Sequence, residues 1–320
     1  MKAAVIGAGF VGGIHGRALL SHPEVELVAV CGRTRPKTEA LATELDTRFY
    51  LSVEDMLSAQ APDIVCVATG NMDHKGPTIA ALEAGAHVFV EKPMAFSLED
   101  ARAMVDAAEK AGAALGVNFN HRFSAPYQRA LTFVEQGSLG RVAYVLVKFA
   151  GDLYKDLNDP FCMLIETQGH SFDLMRLFGG EIERLSCEVA DPRGIGVFTS
   201  AAATARFESG AVGALLGSWD SSYQHPGSQL LEVSGTAGRV VVDNVVDSVR
   251  LFRHDRGDYE EWRPGIFDAR SHDFWRTIEA HLHAFVDAVG SGLPPPVTGG
   301  DGLRALELTF EAIAAAAEAG

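Results

Sequence analysis

The sequence predicts an α/β domain built on a parallel sheet, followed by an α+β domain. Three observations carry this. Short apolar runs alternate with helical patterns over the first third, a glycine-rich turn opens the first helix at Gly7, and after about Phe119 strands joined by glycine turns take over.

The strand candidates of the first part are Ala3–Gly7, Leu27–Cys31, Asp63–Ala68, His87–Val90 and Ala114–Val117. Helical stretches near Val11–Leu20, Pro36–Leu45, Gly76–Ala84 and Leu98–Ala111 lie between them. An unbroken apolar run such as Ile64-Val65-Cys66-Val67-Ala68 suits a strand covered on both faces. The second part starts with a helix near Ala125–Glu135 and a β-rich run, Arg141–Phe149, and continues through one helical segment around Glu166–Phe178. Two hairpins follow, Ala201–Phe207 with Ala211–Trp219 and Gln229–Val233 with Arg239–Asp243. Helices over His272–Val289 and Asp301–Ala317 close the chain, separated by Pro294-Pro295-Pro296, which no helix crosses. At 320 residues the natural division is 1–120 and 121–320.

Composition narrows the partners. With 27 Lys and Arg against 42 Asp and Glu, the formal net charge is -15, which repels nucleic acid and anionic membrane surfaces. No stretch has the apolar length to span a bilayer, and the start carries no secretory-signal pattern. Cys31, Cys66, Cys162 and Cys187 form no C-x-x-C pair and read as reduced thiols of a cytoplasmic protein.

Gly7-Ala8-Gly9-Phe10-Val11-Gly12 follows a strand and opens a helix, the setting in which G-x-G-x-x-G binds a dinucleotide. Gly7 permits the tight turn, Gly9 admits the diphosphate and Gly12 allows close helix–strand packing. The diphosphate would rest on Phe10 and Val11 at the positive end of the helix. A Rossmann-type, doubly wound sheet is therefore expected. After the second strand no acid appears before Glu39, whereas Arg33, Thr34 and Arg35 could hold a 2′-phosphate. This favours NADP, with NAD as the alternative. A solvated basic turn is the bland explanation of the same residues.

Two further clusters carry chemistry. Glu91-Lys92-Pro93 ends the fourth strand, so Lys92 would project into the crevice beyond the strand ends. Glu166, His170 and Asp173 share one face if they lie on one helix, and a histidine backed by carboxylates suits proton transfer near neutral pH. Taken alone they are better explained by a helix cap with a satisfied core histidine, and it is Lys92 and the dinucleotide-binding half that favour the chemical reading. Glu166 and His170 alone are too few for a metal site, so none is expected.

With Ala68-Thr69-Gly70-Asn71 and His74, Asn120-His121-Arg122-Phe123, and His170-Ser171-Phe172-Asp173 added to the turn and to Glu91-Lys92-Pro93, the chain resembles the Gfo/Idh/MocA family. The resemblance spans essentially the whole chain. It implies a Rossmann domain, then a large, open, mainly antiparallel sheet forming homo-oligomer contacts, in a dimer or tetramer. It implies hydride transfer between nicotinamide and a hydroxyl or carbonyl carbon of a sugar, cyclitol or related polyol. By motif match, Lys92 corresponds to the catalytic lysine, His170 to the acid–base histidine and Glu166 to a common aspartate. Thr69, Asn71, His74, Glu91 and Asn120 fall at cofactor-side positions, and Arg122, Asp173 and Tyr154 are expected near the substrate. Gly70 replaces a common proline, and Glu166 is one methylene longer than aspartate. A non-catalytic cofactor-loaded sensor and an NAD-dependent glycosidase are the rival readings on this fold.

Overall fold

Strands too apolar to face water on either side must be covered on both, and in a computed structural model the first five apolar runs do line up as parallel strands. The structure describes residues 1–152, 159–224 and 226–319. The elements of the first part are β1 (Lys2–Ile6), α1 (Phe10–Ser21), β2 (Glu26–Cys31), α2 (Arg35–Glu44), β3 (Arg48–Tyr50), α3 (Val53–Gln60), β4 (Ile64–Val67), α4 (Lys75–Glu83), β5 (His87–Val90), α5 (Leu98–Ala111) and β6 (Leu115–Val117). They form a six-stranded sheet in the order β3-β2-β1-β4-β5-β6. The order reverses between β1 and β4, and in such sheets the ligand crevice opens at the strand ends beside that reversal.

The second part contains a 3₁₀ turn (Asn120–Phe123), α6 (Ala125–Glu135), β7 (Val142–Ala150), α7 (Cys162–Thr167), α8 (Gly169–Gly179), β8 (Ile182–Ala190), β9 (Ser200–Phe207), β10 (Val212–Ser218), β11 (Gln229–Gly235), β12 (Gly238–Asp243), β13 (Ser248–Arg253) and β14 (Tyr259–Trp262). After them come α9 (Ala269–His272), α10 (Arg276–Gly290) and α11 (Gly299–Ala319). The eight strands make one sheet, β14-β13-β12-β11-β7-β10-β9-β8, antiparallel except for the β7–β10 pair. Both predicted hairpins are present, as β9–β10 and β11–β12. On β9, Ala201, Ala203, Ala205 and Phe207 turn into the core while the residues between them face outward, the period-2 pattern of a sheet covered on one face.

The chain separates into two compact units. One comprises Met1–Asn120 with Thr277–Arg304, the other His121–Arg276 with the chain from Ala305 onward. Leu282, Phe285 and Val286 of α10 join Val5, Leu19, Ile64 and Phe89 in the core of the first unit. Phe172, Met175 and Phe178 of α8 pack with Val145, Leu231 and Val240 in that of the second.

Three expectations change. The stretch Glu166–Phe178 is not one helix, because Gln168 ends α7 and starts α8. Its side chain bonds locally instead, donating to the Phe149 carbonyl at 3.2 Å and accepting from Ser171 Oγ at 2.7 Å. The expected helix from His272 is likewise broken after His272 and resumes at Arg276. The strands β3, β8, β13 and β14 and the helix α3 go beyond the expected set, β3 being too short at three residues to display a period.

Candidate active site

The first unit holds a cavity of about 870 Å³ at the carboxyl ends of its strands. Gly7, Gly9, Phe10 and Val11 line it, with Gly32–Thr34 after β2 and Ala68–Gly70 after β4. Gly7 has φ +128°, and a Cβ there would overlap the Ala68 carbonyl. A Cβ on Gly12 would overlap the carbonyl of Gly7, so these two glycines let the turn and helix close up. A Cβ on Gly9 would instead meet nothing within 4 Å, leaving open space next to the N-terminus of α1. Gly9 caps that helix without a side-chain bond, so the first-turn N–H groups are left for an anion. These residues fit a dinucleotide.

The basic residues after β2 divide. Arg33 and Thr34 line the cavity, but Arg35 lies over the Phe49 ring at 5.2 Å. The Arg33 side chain is 84% exposed and its Nη2 stands 3.1 Å from Asp73 Oδ2. Lys37 also lines the cavity, with Met72, Asp73 and Lys75, which were not picked out from the sequence. Thr69 is on the wall, while Asn71 is half-buried in the same loop.

Beyond β5 the Glu91 carboxylate is buried in a built network. Oε1 accepts from Asn118 Nδ2 and pairs with His15 Nε2, both at 2.7 Å, and Asn118 Oδ1 lies 3.1 Å from His281 Nδ1. Burial pushes the Glu91 carboxyl up, but the bonds and pull of His15, Asn118 and Lys92 outweigh it and hold it below the ordinary range. The Lys92 N–H reaches Glu91 Oε2 at 3.3 Å, and the Lys92 side chain is half-buried. His74 is buried, with Nδ1 2.9 Å from the Pro93 carbonyl. Asn120 is buried too and donates to Thr277 Oγ1 at 2.6 Å.

In the second unit, His170 is the second residue of α8 and Glu166 belongs to α7. The break at Gln168 removes the single continuous helix on which their shared face was argued. Both side chains are buried. Arg122 and Asp173 form a two-point ion pair in which Asp173 is buried and Arg122 half-buried, with Arg122 Nε donating to Asp173 Oδ2 at 2.7 Å and Nη2 to Oδ1. The His121 ring stacks on that of His170. Tyr154, expected near the substrate, lies outside the described residues. Among the described residues, no three His, Cys, Asp or Glu side chains gather as a metal site would require.

A model of the GFO_IDH_MocA oxidoreductase family, an NAD-binding Rossmann fold, matches residues 1–119, and one of the GFO/IDH/MocA C-terminal domain matches 127–241. The chain belongs to the Gfo/Idh/MocA oxidoreductase family. Among curated Gfo/Idh/MocA-like relatives, myo-inositol 2-dehydrogenase of Thermotoga maritima is 29% identical over 98% of this chain and 95% of its own. scyllo-Inositol 2-dehydrogenase (NAD(+)) of Bacillus subtilis is 28% identical over 98% and 93%. Levoglucosan dehydrogenase, solved with NADH and levoglucosan, superimposes with a TM-score of 0.90 at 21% identity, covering 100% of this chain and 98% of that one. As a Gfo/Idh/MocA oxidoreductase, the chain carries its dinucleotide-binding domain in the first unit.

Asn118 and His281 are the residues of this network that pattern reading missed. His281 lies 163 positions from Asn118, and no local motif links them.

Proposed function

We propose that this protein is an NAD(P)-dependent dehydrogenase or reductase acting on a hydroxyl or carbonyl carbon of a sugar, cyclitol or related small polyol. The observation that carries this reading is Glu91-Lys92 at the end of β5, its carboxylate buried and fixed, in the unit that holds the dinucleotide cavity. When bound, the nicotinamide supplies the acceptor or donor for hydride. Lys92 polarises the reacting oxygen, and His170 takes the hydroxyl proton in oxidation and returns it in reduction. Glu166 orients the imidazole. The Arg122–Asp173 pair fixes the 3₁₀ turn against α8 and borders the substrate. General acid–base help of this kind is worth about 10²–10⁴-fold in rate.

NADP is the preferred cofactor, because Arg33 and Lys37 line the cavity and the chain after β2 carries no acid before Glu39. The name of the Bacillus relative, which specifies NAD, is the counterweight. The outward residues Val212 and Leu216 of β10, 48% and 46% exposed, support a homo-oligomer through the uncovered sheet face. Four free, buried cysteines fit a cytoplasmic setting. Among the described residues, no helix is long and apolar enough to cross a membrane.

The test is turnover of myo-inositol and a panel of sugars with NAD and NADP, in the wild type and in His170→Ala and Lys92→Ala. Reduced cofactor formed by the wild type, and lowered about 10²–10⁴-fold in His170→Ala with cofactor affinity retained, is the expected result. No reduced cofactor with any substrate, or undiminished turnover in both variants, overturns the reading.

A further inference from the structure

The rings of His121 and His170 lie parallel, their planes within 3° and their centroids 4.0 Å apart. The two residues are 2% and 4% exposed. Tyr127 stacks on His121 at 6.2 Å, Phe149 leans on both rings, and Phe274 meets the edge of His121 at 5.6 Å. Two imidazoles are thus held face to face in an aromatic box that solvent barely reaches.

Such a pair cannot be treated as two independent histidines. A cation is drawn to the face of a neutral aromatic ring, so one imidazolium on one imidazole is a favourable stack. Two imidazoliums at this separation repel with little water between them to screen the charges. Among the described residues, the titratable and charged groups on the elements around the rings are Cys162 and Glu166 on α7, the Arg122–Asp173 pair, Arg176 on α8, Tyr127, Arg129 and Glu135 on α6, Tyr144 and Lys148 on β7, and Arg270, His272 and Asp273 ahead of Phe274. Apart from His272, which is exposed, side chains of those types ordinarily change charge outside the window of about pH 5–8 in which imidazoles do.

We propose that His121 is a positioning residue for proton transfer: His121 and His170 together take up one proton and refuse a second. This rests on the reading of His170 as the proton acceptor. The proton taken from the substrate hydroxyl goes to His170, whose imidazolium is received by the face of neutral His121. With one proton already on the pair, the next is taken up only at lower pH, in a separate step.

Histidine-labelled full-length protein, titrated by NMR, tests this without needing a substrate. In the wild type, His170 follows a broadened curve with two inflections more than about one pH unit apart, as coupled sites do. In His121→Phe, which keeps a ring but not a charge, His170 follows a single-proton curve. His121→Gln gives the same simplification if the larger ring does not fit. An identical single-proton curve in all three proteins overturns the inference. In turnover, the acid limb of kcat/KM is broad for the wild type and narrows to one proton in His121→Phe. Loss of turnover in His170→Ala with no coupling in the titration overturns the inference alone. Undiminished turnover in His170→Ala overturns the acid–base reading, and with it the catalytic use of the pair.

Discussion

The Nε2 atom of His15, on the helix that follows the glycine turn, lies 2.7 Å from Oε1 of Glu91 at the end of β5. His15 is fully buried and Glu91 nearly so. One contact therefore ties the dinucleotide-binding helix to the strand end that carries Lys92. A buried carboxylate needs its donors, and with His15 absent Asn118 is left as its side-chain donor at Oε1.

His15→Ala is expected to destabilise the protein by about 1–3 kcal/mol, the usual penalty for leaving a buried polar group short of a partner. His15→Gln, with an amide that still donates, recovers part of this loss. Urea unfolding of the three proteins reads the difference, and a midpoint in His15→Ala equal to the wild type sinks the idea.

Cofactor choice turns on Arg33, which stands 3.1 Å from Asp73. Arg33→Ala is expected to weaken NADPH binding about tenfold, the worth of one charge-assisted contact, and to leave NADH binding nearly unchanged. Asp73→Asn frees Arg33 and strengthens NADPH binding. Titrations at one salt concentration measure both, and equal losses for NADPH and NADH in Arg33→Ala count against the phosphate assignment.

Breaking the Arg122–Asp173 pair is expected to be costly, since Asp173 is 1% exposed. Arg122→Ala strands a buried carboxylate and should cost about 3–5 kcal/mol. Asp173→Asn should cost less, because the amide oxygen still accepts from the guanidinium. A denaturation series containing both single variants and the double variant gives the coupling, and additivity within error rules the pair out as a stabilising unit.

Stability should fall in mild acid. Burial holds the His74 imidazole below its ordinary value, against the opposing pull of the Pro93 carbonyl and Glu91. Burial also lowers His87, whose Nδ1 accepts the Ala114 N–H at 2.9 Å and must stay unprotonated to do so. Both histidines bind fewer protons folded than unfolded. Their contribution is complete above the unfolded value, near 6.5, and is lost as pH falls from there toward the folded values. The urea midpoint should therefore drop between about pH 7 and pH 5.5, with a shallower slope in His74→Gln. A midpoint that rises over that interval reverses the sign and refutes the account.

The architecture was legible where the chain repeats a period. The apolar runs of β1, β4 and β5 have one physical solution, burial on both faces, and the hairpins β9–β10 and β11–β12 are written in their turns. Glu166, His170 and Asp173 were legible only as a spacing, and the one helix that spacing assumed ends and restarts at Gln168. The side chain of Gln168 bonds to Phe149 and Ser171 rather than pointing idly outward, and the helix breaks there. Arg35 has the right charge in the right loop, yet it packs on Phe49 instead of facing the cavity.

By itself the sequence determined the glycine turn, the parallel first sheet, the Glu91-Lys92-Pro93 strand end and the absence of an acid after β2. All of these are local, set by the side-chain volume, backbone freedom or charge of neighbouring residues. Only the tertiary structure decided that His281 reaches Asn118, that His15 holds Glu91, that Asp73 meets Arg33 and that His121 covers the face of His170. These contacts join residues 40 to 163 positions apart, because the packing of two cores selects the partners and no local pattern records that choice.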